Sequence, residues 1–194
     1  FPYTTLFRSV FIAGTYGSLG IDSIGNWTYT RTSAMDSLAA DEIATDSITI
    51  RSVDGTTHTL VVTIDGSNDA PVLSAVTVPA YVDTSADDVF ITVGGTLSST
   101  DADHNATRSY SIDGAVAGVG VVTIAGSYGN LSVDTATGAY VYTPNDAAIE
   151  GLKSSTTDTF SFQVKDDKGE TDSELLTISI TAANDAPGLT SGDS

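Results

Sequence analysis

The tetrapeptide Asn68-Asp69-Ala70-Pro71 returns letter for letter as Asn184-Asp185-Ala186-Pro187, each time closing a run of alternating apolar residues. The wording ahead of it recurs as well: Gly14-Thr15-Tyr16-Gly17-Ser18-Leu19 is answered by Gly126-Ser127-Tyr128-Gly129-Asn130-Leu131, 112 residues later. A self-repeat of domain length constrains the fold more than any composition, because each copy must be a unit that buries an apolar face. The reading that follows is two copies of one module, the second complete over residues 72–187 and the first partial over 10–71. The partial copy lacks a counterpart of roughly residues 72–113, so the sequence is expected to begin inside a repeat. Residues 1–9 (FPYTTLFRS) have no likeness to the matching stretch 113–121 and are expected to be a non-native or disordered start. Residues 188–194 would then be a linker to a next module.

Within each copy the apolar residues alternate with polar ones. Leu19-Gly20-Ile21-Asp22 and Trp27-Thr28-Tyr29-Thr30 flank a turn, as do Leu131-Ser132-Val133-Asp134 and Tyr140-Val141-Tyr142-Thr143. Ser47 to Val53 and His58 to Ile64 alternate about Asp54-Gly55, and Thr159 to Lys165 and Glu174 to Thr181 repeat this about Asp167-Lys168-Gly169. Period-two alternation rich in β-branched and aromatic residues, broken by Gly and Asp, specifies β-hairpins. Further strands are expected at Val89 to Val93 and Val119 to Ala125. Only Ser33 to Thr45, with its Ala-Met-Asp-Ser-Leu-Ala-Ala core, is expected to admit a helical turn. Short strands with turns every 8 to 12 residues give an all-β fold of tandem antiparallel sandwiches, the first truncated at its N-terminus. Tyr29 and Tyr142 are expected to be equivalent, core-facing aromatics.

Seven basic residues against 25 acidic ones leave a net charge of −18. That balance excludes nucleic acid as a partner, since phosphate contacts are made by Lys and Arg. It suits hard cations that prefer carboxylate oxygens, although acidity by itself also keeps a secreted protein soluble. Cysteine is absent, which removes disulfides, thiolate metal sites and a cysteine nucleophile. No apolar run reaches the roughly 20 residues that span a bilayer, so membrane insertion is not expected of this stretch.

Spacing sharpens the cation reading. Each Asn-Asp-Ala-Pro places an amide and a carboxylate at a module boundary, and Asp101-Ala102-Asp103 puts two carboxylates at i and i+2, on one side of an extended chain. Asp65 adds an oxygen donor just upstream. Calcium takes about six to eight such oxygens at about 2.3 to 2.6 Å. The same tetrapeptide also serves as a metal-free turn, because Asn and Asp bond their own backbone and Pro fixes φ. An EF-hand is excluded: the loop opening at Asp101 has Ala106 where Gly is needed and Ile112 where a bidentate Glu is needed. Asp87, Asp88, Asp166 and Asp172 read as solvated surface. The two histidines, His58 and His104, stand outside any catalytic motif, and no G-x-S-x-G, HExxH or phosphate loop occurs, so no enzymatic activity is expected.

Taken together, G-x-Y-G-x-L at 14–19 and 126–131, W/Y-x-Y-T at 27–30 and 140–143, and NDAP at both module ends resemble the VCBS repeat of large RTX-type bacterial surface adhesins. The order of acidic motifs over about residues 10–190 also resembles the wider bacterial cadherin-like group: Asp101-x-Asp103, the turn Asp134 to Gly138, Glu150, Asp167-x-Gly169 and the Asn184 to Pro187 linker. The resemblance implies an Ig/cadherin-like sandwich with Ca²⁺ at each junction between consecutive modules. Carried onto this chain, the first junction would use Glu42, Asp65, Asn68, Asp69, Asp101, Asp103 and Asp167. Glu150, Asn184 and Asp185 would serve the second. The implied function is a calcium-stiffened stalk or adhesive module at the bacterial cell surface, exported by type I secretion and acting in cell-surface and biofilm adhesion. Its partners would be neighbouring repeats and a cell-surface glycan or protein target. The alternatives are a carbohydrate-binding sandwich, which would display Tyr81, Tyr110 and Tyr128 as exposed rings, and an accessory domain of a secreted enzyme.

Overall fold

The computed structural model describes residues 7–116 and 118–184. The chain divides into two units, one built from residues up to Asp69 together with Asp101–Ala106, the other from Ala70–Thr100 and the residues from Thr107 onward. Of the first nine residues, 1–6 lie outside the description, whereas Phe7 forms a lone antiparallel bridge to Ser52. The expected linker 188–194 also lies outside it.

In the first unit, β1 (Val10–Ala13), β2 (Gly17–Ile21) and β3 (Trp27–Arg31) form an antiparallel meander, and β4 (Ile43–Arg51) pairs with β5 (Thr57–Asp65) as a long hairpin. Alternation fixes which residues turn inward: Leu19, Ile21, Ile48 and Ile64 are buried, as is Leu38, just past a 3-10 turn at Ser33–Ser37. That turn is where the helix-tolerant stretch predicts one.

The second unit is a complete two-layer sandwich. One sheet has the order β10 (Arg108–Ile112), β14 (Thr156–Asp166), β15 (Thr171–Thr181), β7 (Tyr81–Val82), with β7 parallel to β15. The facing sheet has the order β11 (Val121–Ala125), β12 (Gly129–Asp134), β13 (Ala139–Pro144), β8 (Val93–Thr96). A short pair, β6 (Val72–Leu73) with β9 (Ser99–Thr100), accompanies them. Between the sheets lie Leu131, Val133, Tyr142, Phe162, Val164, Leu176 and Ile178, all fully buried, and Tyr140 packs its ring 5.2 Å from Phe162.

Two sequence expectations are corrected. Val89–Thr92 is not a strand; pairing begins only at Val93. A short helix, α1 (Asp146–Glu150), forms where none was expected, because Asn145 caps it by accepting from the Ala148 N–H and Ile149 drives into the core.

The repeated motif has a direct physical cause. Asp158, on β14 and buried, accepts from the Ser127 and Tyr128 N–H groups and from the Tyr142 hydroxyl, so one carboxylate ties the facing sheet across the core. Asp46 on β4 does the same with Thr15 N–H, Tyr16 N–H and the Tyr29 hydroxyl. Register agrees: Leu19 lies opposite Tyr29 and Leu131 opposite Tyr142, while Ile21 faces Trp27 and Val133 faces Tyr140. Gly126 is required here, since a Cβ would run into the Asp158 carboxylate and come within 2.5 Å of the Phe160 ring. Burial works to raise the Asp46 carboxyl, but the hydrogen bonds from Tyr29 and the Thr15, Tyr16 and Gly17 N–H groups outweigh it, leaving it below the ordinary range.

Tyr142→Phe keeps the ring and removes one donor from a buried carboxylate, and is expected to cost about 2 kcal/mol in urea unfolding. Tyr29 makes a pH prediction. Burial first, then the hydrogen bond and the charge of Asp46, push its phenol up to about 12 from 10.0. The folded value exceeds the unfolded one, so the contribution is full below pH of about 10 and is lost as pH rises toward the folded value. Alkaline titration of unfolding midpoints is expected to show a decline over that window that Tyr29→Phe lessens, while the buried Tyr81, Tyr140 and Tyr142, also raised, keep a decline of their own.

Candidate metal centre

Several acidic side chains build turns. Asp22 takes the Ile24 and Asn26 N–H groups, and its bond from the Asn26 side chain leads the interactions that hold it below the usual carboxylate range. Asp134 is lowered chiefly by the N–H and hydroxyl of Thr137, and Asp54 chiefly by the Ser52 hydroxyl. Asp166, expected at the surface, is buried and caps its hairpin by accepting from the N–H groups of Lys168, Gly169 and Glu170. Asp172, likewise expected to be solvated, accepts from the Leu73 N–H at 2.8 Å. Each of these carboxylates is engaged by N–H or hydroxyl donors, and none belongs to the one close group of carboxylates found among the described residues.

Three carboxylates of the second unit behave differently. One oxygen from each of Asp83, Asp88 and Glu150 lies within 4.8 Å of the others. Asp83, just past β7, is 4% exposed; its Oδ2 accepts from the Ala183 N–H at 2.9 Å, while its Oδ1 is buried without a hydrogen-bond partner. The Asp88 N–H donates to Glu150 Oε1 at 2.9 Å, which fastens the loop to the end of α1. The Asp83 N–H donates to the Thr181 carbonyl, so the group is pinned to the end of β15, where the chain runs on through Ala183 to Asn184. Burying a bare carboxylate oxygen beside two further carboxylates is costly unless a cation neutralises them. The donor set is all oxygen and anionic, which fits a hard divalent cation. Asp88 was expected at the surface; the hydrogen bond to Glu150 and the proximity of Asp83 give it this place instead. Asp83 carried no sequence signal, because it falls in no repeated motif.

The first unit holds two further carboxylates with unsatisfied oxygens. The Asp69 N–H donates to Asp103 Oδ2 at 2.9 Å, and the Asp103 N–H donates to Asp101 Oδ1 at 3.0 Å. Asp101 Oδ2 and Asp103 Oδ1 are buried without a hydrogen-bond partner. Asn105 adopts a positive φ of 60°, which turns the chain back behind this D-x-D. His104 sits one residue on, its Nε2 3.1 Å from Glu42 Oε1 and its Nδ1 2.8 Å from the Ser37 carbonyl.

The remaining candidates are dispersed. Glu42 also accepts from the Ala39 N–H at 3.1 Å; Asp65 ends β5 with its side chain exposed; the Asn68 amide donates to the Asp69 carbonyl at 3.3 Å. Asp167 is exposed and accepts from the Thr107 N–H at 3.1 Å. Asn184 is exposed, and Asp185 lies outside the described residues. The tyrosines proposed for a sugar face do not form one: Tyr81 is buried with its hydroxyl on the Ile91 carbonyl at 2.8 Å, Tyr110 shares a hydrogen bond of 2.9 Å with Ser99, and Tyr128 packs against the core.

A two-layer β-sandwich of mostly antiparallel strands is the architecture that cadherin domains share. The family model for the bacterial cadherin-like domain matches residues 68–182, and the chain belongs to that family. Domains of this family are adhesion or structural domains of extracellular proteins. No curated protein matches the chain. Among solved structures it is similar to extracellular cadherin domains 3–6 of protocadherin gamma B2, at 16% identity over 88% of this chain and 40% of that one, TM-score 0.41. It is similar also to Drosophila N-cadherin EC1-3, at 15% identity over 92% of this chain and 55% of that one, TM-score 0.33. A third is the cis-dimer structure of protocadherin gammaB7 EC3-6, at 13% identity over 88% and 40%, TM-score 0.38. The chain thus spans about half or less of the length of these neighbours. Among the described residues no helix is long and apolar enough to cross a membrane.

Removing one charge from the Asp83 group tests its electrostatics without any ion. In chelator, Asp88→Asn is expected to raise the stability of the second unit by about 1 kcal/mol by relieving like-charge repulsion, as read by urea unfolding; an unchanged or lowered midpoint would show that the three carboxylates do not strain one another.

Proposed function

We propose that this chain is a calcium-stiffened structural and adhesive segment of an extracellular bacterial adhesin, built from tandem modules at residues 10–71 and 72–187. The observation that carries the reading is the buried, unpartnered Oδ1 of Asp83 beside Asp88 and Glu150, at the strand end from which Asn184 departs. Asp83, Asp88 and Glu150 would hold the ion, with Asn184 and Asp185 of the linker as candidate further ligands. Asp69, Asp101 and Asp103 would serve the corresponding role for the first module, where Asp101 and Asp103 also bury unsatisfied oxygens. Bound calcium would supply positive charge to oxygens the protein leaves uncompensated and would limit flexing of the chain at the module boundary. Free energy of binding then adds to folding stability.

Presentation at the bacterial surface in a large RTX-type protein, type I export and a role in biofilms extend this reading, as does a glycan or protein target. The carbohydrate-binding alternative is not favoured, because Tyr81, Tyr110 and Tyr128 are engaged in packing and hydrogen bonds rather than displayed.

Thermal melts in chelator, in millimolar calcium and in millimolar magnesium test the proposal. Calcium is expected to raise the midpoint, magnesium to do so far less. Asp83→Asn combined with Glu150→Gln should abolish the effect on the second unit, and Asp101→Ala with Asp103→Ala the effect on the first. Identical melts in all three conditions would sink the reading.

A further inference from the structure

We propose that Asp113 is the position at which this chain modifies itself, by closure of the Gly114 amide nitrogen on the Asp113 side chain and reopening as isoaspartate. Three Asp-Gly steps occur in the sequence, Asp54-Gly55, Asp65-Gly66 and Asp113-Gly114, and no Asn-Gly. A following glycine leaves the attacking nitrogen unshielded, so by local sequence the three are alike. In the step, the bond from the glycine nitrogen to the aspartate Cγ forms as the carboxyl C–O bond breaks. The amide and carboxyl protons leave with that oxygen as water. Water then adds to the main-chain carbonyl of the resulting cyclic imide and breaks its bond to the glycine nitrogen. The chain now runs through Cγ, one carbon longer, and the former main-chain carbonyl is a free carboxylate. Water is the only co-reactant.

The fold holds two of the three. Asp54 is engaged by the Ser52 hydroxyl and by the Thr56 N–H at 2.9 Å, and the Gly55 N–H donates to the Ser52 carbonyl at 3.0 Å. An amide N–H already given to a carbonyl must lose that bond before its nitrogen can attack. The Gly66 N–H is likewise given to the Glu42 carbonyl at 2.8 Å. A Cβ on Gly66 would stand 2.2 Å from the Ala39 carbonyl oxygen, so the backbone there has no room to swing toward Asp65, itself paired with Ile43 at the end of β5. Asp113-Gly114 has neither restraint. Asp113 is exposed, and among the described residues its carboxylate has no hydrogen-bond or ionic partner and the Gly114 N–H has no acceptor. The turn is fixed on either side instead, by the Asp113 N–H on the Ser161 carbonyl at 2.8 Å and the Ala115 N–H on the Ile112 carbonyl at 3.0 Å. A Cβ on Gly114 would meet only the end of the Ile124 side chain, at 3.3 Å. The added carbon would enter the main chain directly after the buried Ile112, where β10 gives way to the loop that leads to β11.

The whole chain would be aged at body temperature and mildly acidic pH, once folded and once in concentrated urea. Isoaspartate would be placed by its specific fragment ions in mass spectrometry and counted with an isoaspartyl carboxyl methyltransferase and labelled S-adenosylmethionine. In the folded chain it is expected to accumulate at Asp113 at least about ten-fold faster than at Asp54 or Asp65, which react only through local opening. In urea the three rates are expected to converge. Asp113→Glu should remove the fast site, because the larger ring closes slowly, and leave the two slow ones unchanged. Equal rates in the folded chain, a faster rate at Asp54 or Asp65, or no isoaspartate at Asp113 would each overturn the proposal. So would the same preference for Asp113 in urea, which would show that local sequence and not the fold selects it. None of these outcomes depends on calcium.

Discussion

Everything in the second unit is arranged around one buried carboxylate. Asp158 reaches from one sheet into the backbone of the other, taking two N–H groups from the Ser127-Tyr128 turn and the hydroxyl of Tyr142. A charge in that position would be expelled by desolvation if any of its donors failed, so the turn must have the shape that aims both N–H groups inward. Gly126 is needed there because the carboxylate occupies the space of its Cβ, and Tyr142 because no shorter donor on β13 would cross the core. The first unit reproduces the device with Asp46, Thr15, Tyr16 and Tyr29. The strongly repeated words of the sequence are thus the parts of a staple between sheets, and they say little about what the protein binds.

The high negative charge divides by the same test of satisfaction. Where a carboxylate finds backbone donors, as Asp22, Asp134 and Asp166 do, it shapes a turn. Where burial leaves an oxygen without a donor, as at Asp83, Asp101 and Asp103, the protein's own hydrogen bonds leave the charge uncompensated. These last three stand just past strand ends, Asp83 after β7 and Asp101 and Asp103 after β9. Residue type alone does not separate the two groups; the presence or absence of N–H donors does.

How far the residues announced the fold depended on the range of the forces involved. The hairpins β2–β3, β4–β5, β12–β13 and β14–β15 were legible because alternation and Asp–Gly turns act over a few residues. The helix α1 was missed because its stability comes from the Asn145 cap and the burial of Ile149, and Val89–Thr92 was misjudged because β propensity does not by itself supply a pairing partner. Of the three carboxylates that lie together, Glu150 was singled out through its place in the order of motifs, whereas Asp88 was set aside as surface and Asp83 was not singled out. Both lie in an irregular loop after β7 that has no period to read.

The sequence by itself determined the recurring words, the β class, the places of the hairpins and the surplus of oxygen ligands, since these rest on local pattern and composition. Only the tertiary structure decided which carboxylates are left unsatisfied, and that Asp65-Gly66 is held where Asp113-Gly114 is not. Both outcomes depend on which distant segment lies alongside: the end of β15 beside Asp83, and the Glu42 backbone beside Gly66. Desolvation is a property of the neighbours a residue acquires, and residues far apart in the chain are not coupled by any period along it.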